Sequence, residues 1–177
     1  AQPIIEKALR DHPNDVAMVH AYDQVLEVKL QVQELYGTDF GRCYLGSTTL
    51  IEHYAEDAPA ALIKSYKEEG YNDYGAHYHI MRLFGWLQVH EAYDLLVEAL
   101  HNKQPQFQKS RIAAALALAE VGKANTIPEI KQALAVPIWD LQYGAILALE
   151  KLGEPIEFPP SDSTDWLVQE KPAALVV

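Results

Sequence analysis

The 177-residue chain holds a single cysteine, Cys43, which rules out an intrachain disulfide framework. One thiol suits a reducing compartment, so a cytoplasmic setting is expected. No stretch of 18 or more apolar residues occurs, and the opening AQPIIEKALRDHPND lacks the basic, apolar, small-residue order of a secretory leader, so neither a membrane partner nor a signal peptide is expected. Basic residues are scarce, 14 Lys and Arg against 25 Asp and Glu for a net charge of −11. Residues 51–100 carry nine acids and only Lys64, Lys67 and Arg82 as bases. That field repels phosphate backbones, whose binding requires cations to displace counterions, and it argues against a nucleic-acid partner. No Gly-x-Ser-x-Gly, Walker loop or Gly-x-Gly-x-x-Gly is present, so no catalytic residue is assigned. Arg42 beside Cys43 would lower the thiol pKa somewhat, but a cysteine ahead of an apolar run is first of all a packing residue.

What the chain does have is internal repetition. Sliding the chain along itself until Ile80 meets Ala114 also lays Phe84, Leu87, Tyr93, Leu96, Ala99 and Leu100 on Leu118, Val121, Ile127, Ile130, Ala133 and Leu134, apolar on apolar each time. The same shift carries Leu50, Leu62 and Tyr66 onto Phe84, Leu96 and Leu100. A slightly shorter one sets Ile112, Ala115, Leu118, Val121 and Gly122 on Tyr143, Ile146, Leu149, Leu152 and Gly153. Each unit reads as two helices. In the clearest one, Ile112, Ala115, Leu118 and Ala119 form the first stripe. Gly122 supplies a positive-φ exit, Asn125 or Thr126 caps the next helix, and Pro128 enters its first turn. Two helices with one stripe each cannot bury both alone, so neighbouring pairs must stack into an all-α α-solenoid.

The reading gives a short helix at Pro3–Arg10, a long one over Val16–Tyr36 closed by Gly37, pairs at about 43–69, 75–102 and 108–135, and a lone first helix at 138–152. Residues 1–153 form the solenoid. Residues 154–177, EPIEFPPSDSTDWLVQEKPAALVV, break the period and are expected to cap the stack with Phe158 and Trp166.

The units lack the tetratricopeptide and ankyrin signatures. Arg111, Ala114, Ala117, Leu118, Val121, Gly122, Ile127, Pro128 and Leu134 instead resemble the short HEAT-like repeat named after phycobilisome lyases. WDLQYGAILALEKLG, Trp139 to Gly153, is similar to a second run of that family, with Gln142 where Arg is usual. The resemblance implies stacked two-helix HEAT-like repeats. It also implies a range of tasks, from attaching linear tetrapyrroles to cysteines of phycobiliproteins to protein scaffolding. The same architecture serves deoxyhypusine hydroxylase, whose two irons need repeated His-Glu pairs. Only His90-Glu91 occurs here, so that reading fails.

Candidate binding residues fall into two sets. Tyr71, Tyr74, His77, Tyr78, His79 and Arg82 make an aromatic rim in EEGYNDYGAHYHIMRLFGW, suited to a protein interface or to a planar ligand whose carboxylates would meet Arg82 or a histidine. His90, Glu91, Asp94, Glu98 and His101 lie off the buried stripe of a second helix, on the expected concave surface. His77 and His79 stand about 200° apart on a helix, so no metal site is assigned. The first functional expectation is a non-catalytic scaffold without cofactor that binds a partner protein with a basic segment through this acidic surface. The alternative is a bilin lyase subunit or tetrapyrrole-handling factor acting on a phycobiliprotein, with a second HEAT-like subunit as a further partner.

Overall fold

In the computed structural model, which describes residues 2–13, 15–70 and 73–156, the chain is an α-solenoid of stacked two-helix HEAT-like repeats. Among the described residues the helices are α1 (Gln2–Asp11), α2 (Val16–Glu34), α3 (Phe40–His53), α4 (Ala58–Ser65), α5 (Tyr74–Trp86), α6 (Tyr93–His101), α7 (Gln108–Val121), α8 (Ile127–Leu134) and α9 (Trp139–Leu152). Local chemistry starts three of them alike. Asp15, Asp39 and Asp73 each sit in extended backbone and accept hydrogen bonds from the N–H groups two and three positions on, satisfying donors that have no partner inside the helix. Pro59 and Pro128 occupy the first turns of α4 and α8, where a missing N–H costs nothing.

Helices α3, α5, α7 and α9 form one layer in chain order, α6 packs beside α8 and α2 beside α4 in the other, and the layers meet where α2 packs on α3, α6 on α7 and α8 on α9. The repeated apolar positions meet in the core: Leu50, Leu62, Ile80, Phe84, Leu96, Leu100, Leu118, Ile130 and Leu149 are all buried. Each such side chain contributes about 1.5–3 kcal/mol relative to exposure. Helix α7 is apolar on nearly every side because α5, α6 and α9 all pack on it.

Close approach of the first helices depends on missing side chains. A Cβ on Gly85 would lie 2.8 Å from the Ala117 backbone, and one on Gly144 would lie 3.0 Å from Ile112 Cα. At the same α7–α9 contact Arg111 and Asp140 are buried together, with Nη2 donating to Oδ2 at 2.8 Å. Nη1 of Arg111 donates to the carbonyls of Asn102 and Gln104 at 2.6 and 2.9 Å, tying the incoming loop to the same clamp.

Three local expectations change. Gly122 does not adopt positive φ; its φ is −98°, and its lack of a side chain spares a clash with Thr126 and Tyr93. The left-handed exit belongs to Gly153, φ 71°, and to Gln88, φ 51°, the position that the repeat lays on Gly122. Helix α2 ends at Glu34 with Leu35 as its cap, short of Gly37, and the N–H groups of Leu35, Tyr36 and Gly37 donate instead to carbonyls three residues back. The stretch after α4 winds as a π-helical turn, Tyr66–Gly70, which keeps Tyr66 buried against His77 and Phe84. The expected cap falls, from residue 157 on, outside the described residues, Phe158 and Trp166 included.

Candidate functional site

The outer face of α5 is set by its inner one. His77, Ile80, Met81, Phe84 and Gly85 go into the core, and Tyr78, Arg82 and Trp86, at steps of four, line up on the opposite side. On α3 the buried set Cys43, Gly46, Ser47 and Leu50 likewise leaves Phe40 and Tyr44 outside, 67% and 60% exposed. The two faces meet across a small groove lined by Phe40, Tyr44, Ser47, His79, Arg82 and Trp86.

Arg82 is the centre of this groove. Its guanidinium carbon lies 4.1 Å from the Trp86 ring centroid and 5.4 Å from that of Tyr78, and Nη1 donates to the Tyr78 hydroxyl at 3.2 Å. Stacking on aromatic faces holds the planar cation at about 0.5–2 kcal/mol per contact. No carboxylate pairs with it among the described residues. Arg82 thus brings a positive charge to the groove lining of a chain whose net charge is −11. His79 packs 6.1 Å from Phe40, and burial together with Arg82 lowers its pKa, which keeps the imidazole neutral at neutral pH.

The other expected residues divide clearly. Tyr74 is exposed at the start of α5, and Tyr71 lies outside the described residues. His77 does not belong to the rim: it is fully buried, shares a 3.0 Å hydrogen bond with the Tyr66 hydroxyl through Nε2, and stacks 4.7 Å from Phe107. Burial pushes its pKa down to about 4. The reason is simple helical phase, since His77 shares the stripe of Ile80 and Phe84 whereas His79 does not. His90, Glu91, Asp94 and Glu98 are exposed on and before α6, and His101 stands 3.8 Å from Glu129 of α8. This row lies on the second-helix layer, away from the groove.

Cys43 is a packing residue. Its Sγ lies 3.3 Å from the carbonyl oxygens of both Glu34 and Gly37, either of which can accept its one proton, so the thiol closes the end of α2, and burial raises its pKa. Arg42 does not lower it, because its guanidinium turns to Glu34. No cluster of His, Cys, Asp or Glu able to hold a metal occurs among the described residues, and none of their helices is long and apolar enough to cross a membrane.

Sequence reasoning missed Phe40, Tyr44, Ser47 and Trp86. A usable signal existed in the i, i+4 pairs Phe40/Tyr44 and Arg82/Trp86, both off the apolar stripes. That the two helices bring these pairs together was not readable from spacing.

Comparison with known proteins places residues 110–135, the α7/α8 unit, as a PBS lyase HEAT-like repeat. The chain is 54% identical over 171 residues to the uncharacterized phycocyanin operon protein Y of Pseudanabaena tenuis, covering 96% of this chain and 41% of that protein. It is 37% identical over 145 residues to the bilin biosynthesis protein CpeY of a Synechococcus species, covering 77% of this chain and 35% of that one. The chain thus spans about two-fifths or less of the length of these relatives.

Proposed function

We propose that this chain, whose central unit is a PBS lyase HEAT-like repeat, is the part of a bilin-handling protein that holds a linear tetrapyrrole for delivery to a phycobiliprotein. The observation that carries the reading is Arg82, held flat on Trp86 and Tyr78 beside Phe40 and Tyr44 with no acidic partner among the described residues. An open-chain tetrapyrrole is a conjugated, near-planar anion. Its rings would pack on the aromatic walls and a propionate would accept a forked pair of bonds from Arg82. The names of the two relatives, one for bilin biosynthesis and one for a phycocyanin operon, support the same reading. With Cys43 buried, the thiol that finally receives the pigment would belong to the partner.

The scaffold reading comes second. It rests on the row Glu91, Asp94 and Glu98, where only solvent-exposed acids are arrayed, and a solvated helix face needs no partner.

Titration of the protein with phycocyanobilin separates the two. A red-shifted, sharpened visible band that saturates is expected. Arg82→Gln removes a charge-assisted interaction worth about 1.5–3 kcal/mol and weakens binding roughly 10- to 100-fold. An unchanged spectrum at high micromolar pigment, or an Arg82→Gln variant that binds as wild type, would sink the assignment.

A further inference from the structure

A separate surface, on α2, remains without a partner among the described residues. Val28 and Val32 of this helix, followed by Leu35, are buried. On the other side Val16, Val19, Leu26 and Leu30 are 75%, 40%, 39% and 49% exposed. With Asp23 in the gap, positions 16, 19, 23, 26 and 30 step by three, four, three and four, the spacing of a two-helix seam. At 100° per residue they share an arc of about 80°, and the ridge is about 21 Å long. Helix α1 and the Tyr22–Glu6 hydrogen bond flank the ridge without covering it. Asp23 is exposed at its middle and makes no ion pair with a described residue.

We infer that this ridge is a docking seam for an amphipathic helix of another protein, one with a matching apolar stripe and a Lys or Arg opposite Asp23. Charge decides the occupant. A second copy of this chain, laid antiparallel about the centre of the stripe, would set residue 16 against residue 30 and Asp23 against Asp23, carboxylate on carboxylate, between two molecules of net charge −11. A basic residue at the same place turns that repulsion into a pair flanked by apolar contacts. Four aliphatic anchors with 3–4 spacing are the usual means by which one helix recognises another. The seam lies on α2 and does not depend on the pigment reading.

The probe is a fluorescein-labelled synthetic helix, as long as the ridge with one further turn at each end, carrying leucines at 3–4 spacing and a central Lys. Its anisotropy is followed against the whole chain. Saturable binding is expected. It should fall at least tenfold when the central Lys becomes Glu, and equally for the chain variants Leu26→Ser and Leu30→Ser. Their thermal unfolding should stay close to wild type, because these side chains are exposed. Asp23→Lys should restore binding of the Glu peptide. Absence of binding, indifference to the central charge, or a wild-type dimer in light scattering that Leu26→Ser converts to monomer would each overturn the inference.

Discussion

From α5 through α7 to α9 the helices approach until backbone meets backbone, Gly85 on Ala117 and Gly144 on Ile112, and the Arg111–Asp140 pair is sealed inside the last contact. Between α3 and α5 the facing residues are Phe40, Tyr44 and His79, and the same kind of stacking leaves a groove. Both contacts join consecutive first helices of one repeat. The closed contacts are made by small residues, whereas the groove is lined by large ones, of which Phe40 and Tyr44 stay mostly exposed. The regular part of the repeat is thus the most closely packed, and the α3–α5 gap leaves aromatic side chains exposed.

The sharpest way to break this comparison is Asp140→Asn. It strands a buried guanidinium, which costs about 3–5 kcal/mol in comparable cases. Urea unfolding should show the loss directly; a change under about 1 kcal/mol would mean that the clamp is not what holds α7 to α9. Next comes His77, at the boundary between the two regimes. Its pKa is lowered in the fold from 6.5 to about 4, so the unfolded chain binds more protons between those values. Stability contributed by the neutral ring is present above pH 6.5 and is lost as pH falls toward 4, on the order of 3 kcal/mol in full. The unfolding midpoint of wild type should drop more steeply from pH 7 to pH 4.5 than that of His77→Gln; parallel curves would place the proton elsewhere. The smallest effects form a pair. Gly85→Ala puts a methyl against the Ala117 backbone and should cost about 1–3 kcal/mol, while Leu45→Ser, on the exposed face of α3, should stay within about 0.5 kcal/mol. Equal effects in thermal melts would mean that the α5–α7 contact is no more tightly packed than an exposed face.

Much of this was legible in one dimension. The coincidence of Phe84 with Leu118 and of Leu96 with Ile130 required a repeated pair of helices, and the buried positions obey it. The rim was legible only in composition. His77 and Tyr78 are neighbours in the sequence, yet one stacks on Phe107 in the core and the other lies under Arg82 on the surface. Phe40 and Tyr44 are far from Arg82 along the chain, and nothing in their spacing announces that α3 and α5 would lie side by side with those faces outward. Gly122 and Gln88 show the same limit at the backbone: equivalent in the repeat, they take opposite signs of φ.

The sequence by itself determined the helices, their pairing and the stack, because periodicity and end signals are local and each unit must bury what its neighbour exposes. Only the tertiary structure decided where aromatic surface is left exposed. That depends on which bulky side chains two stacked helices turn toward the same gap, and it put Arg82 in the α3–α5 groove beside the rings of Tyr78 and Trp86.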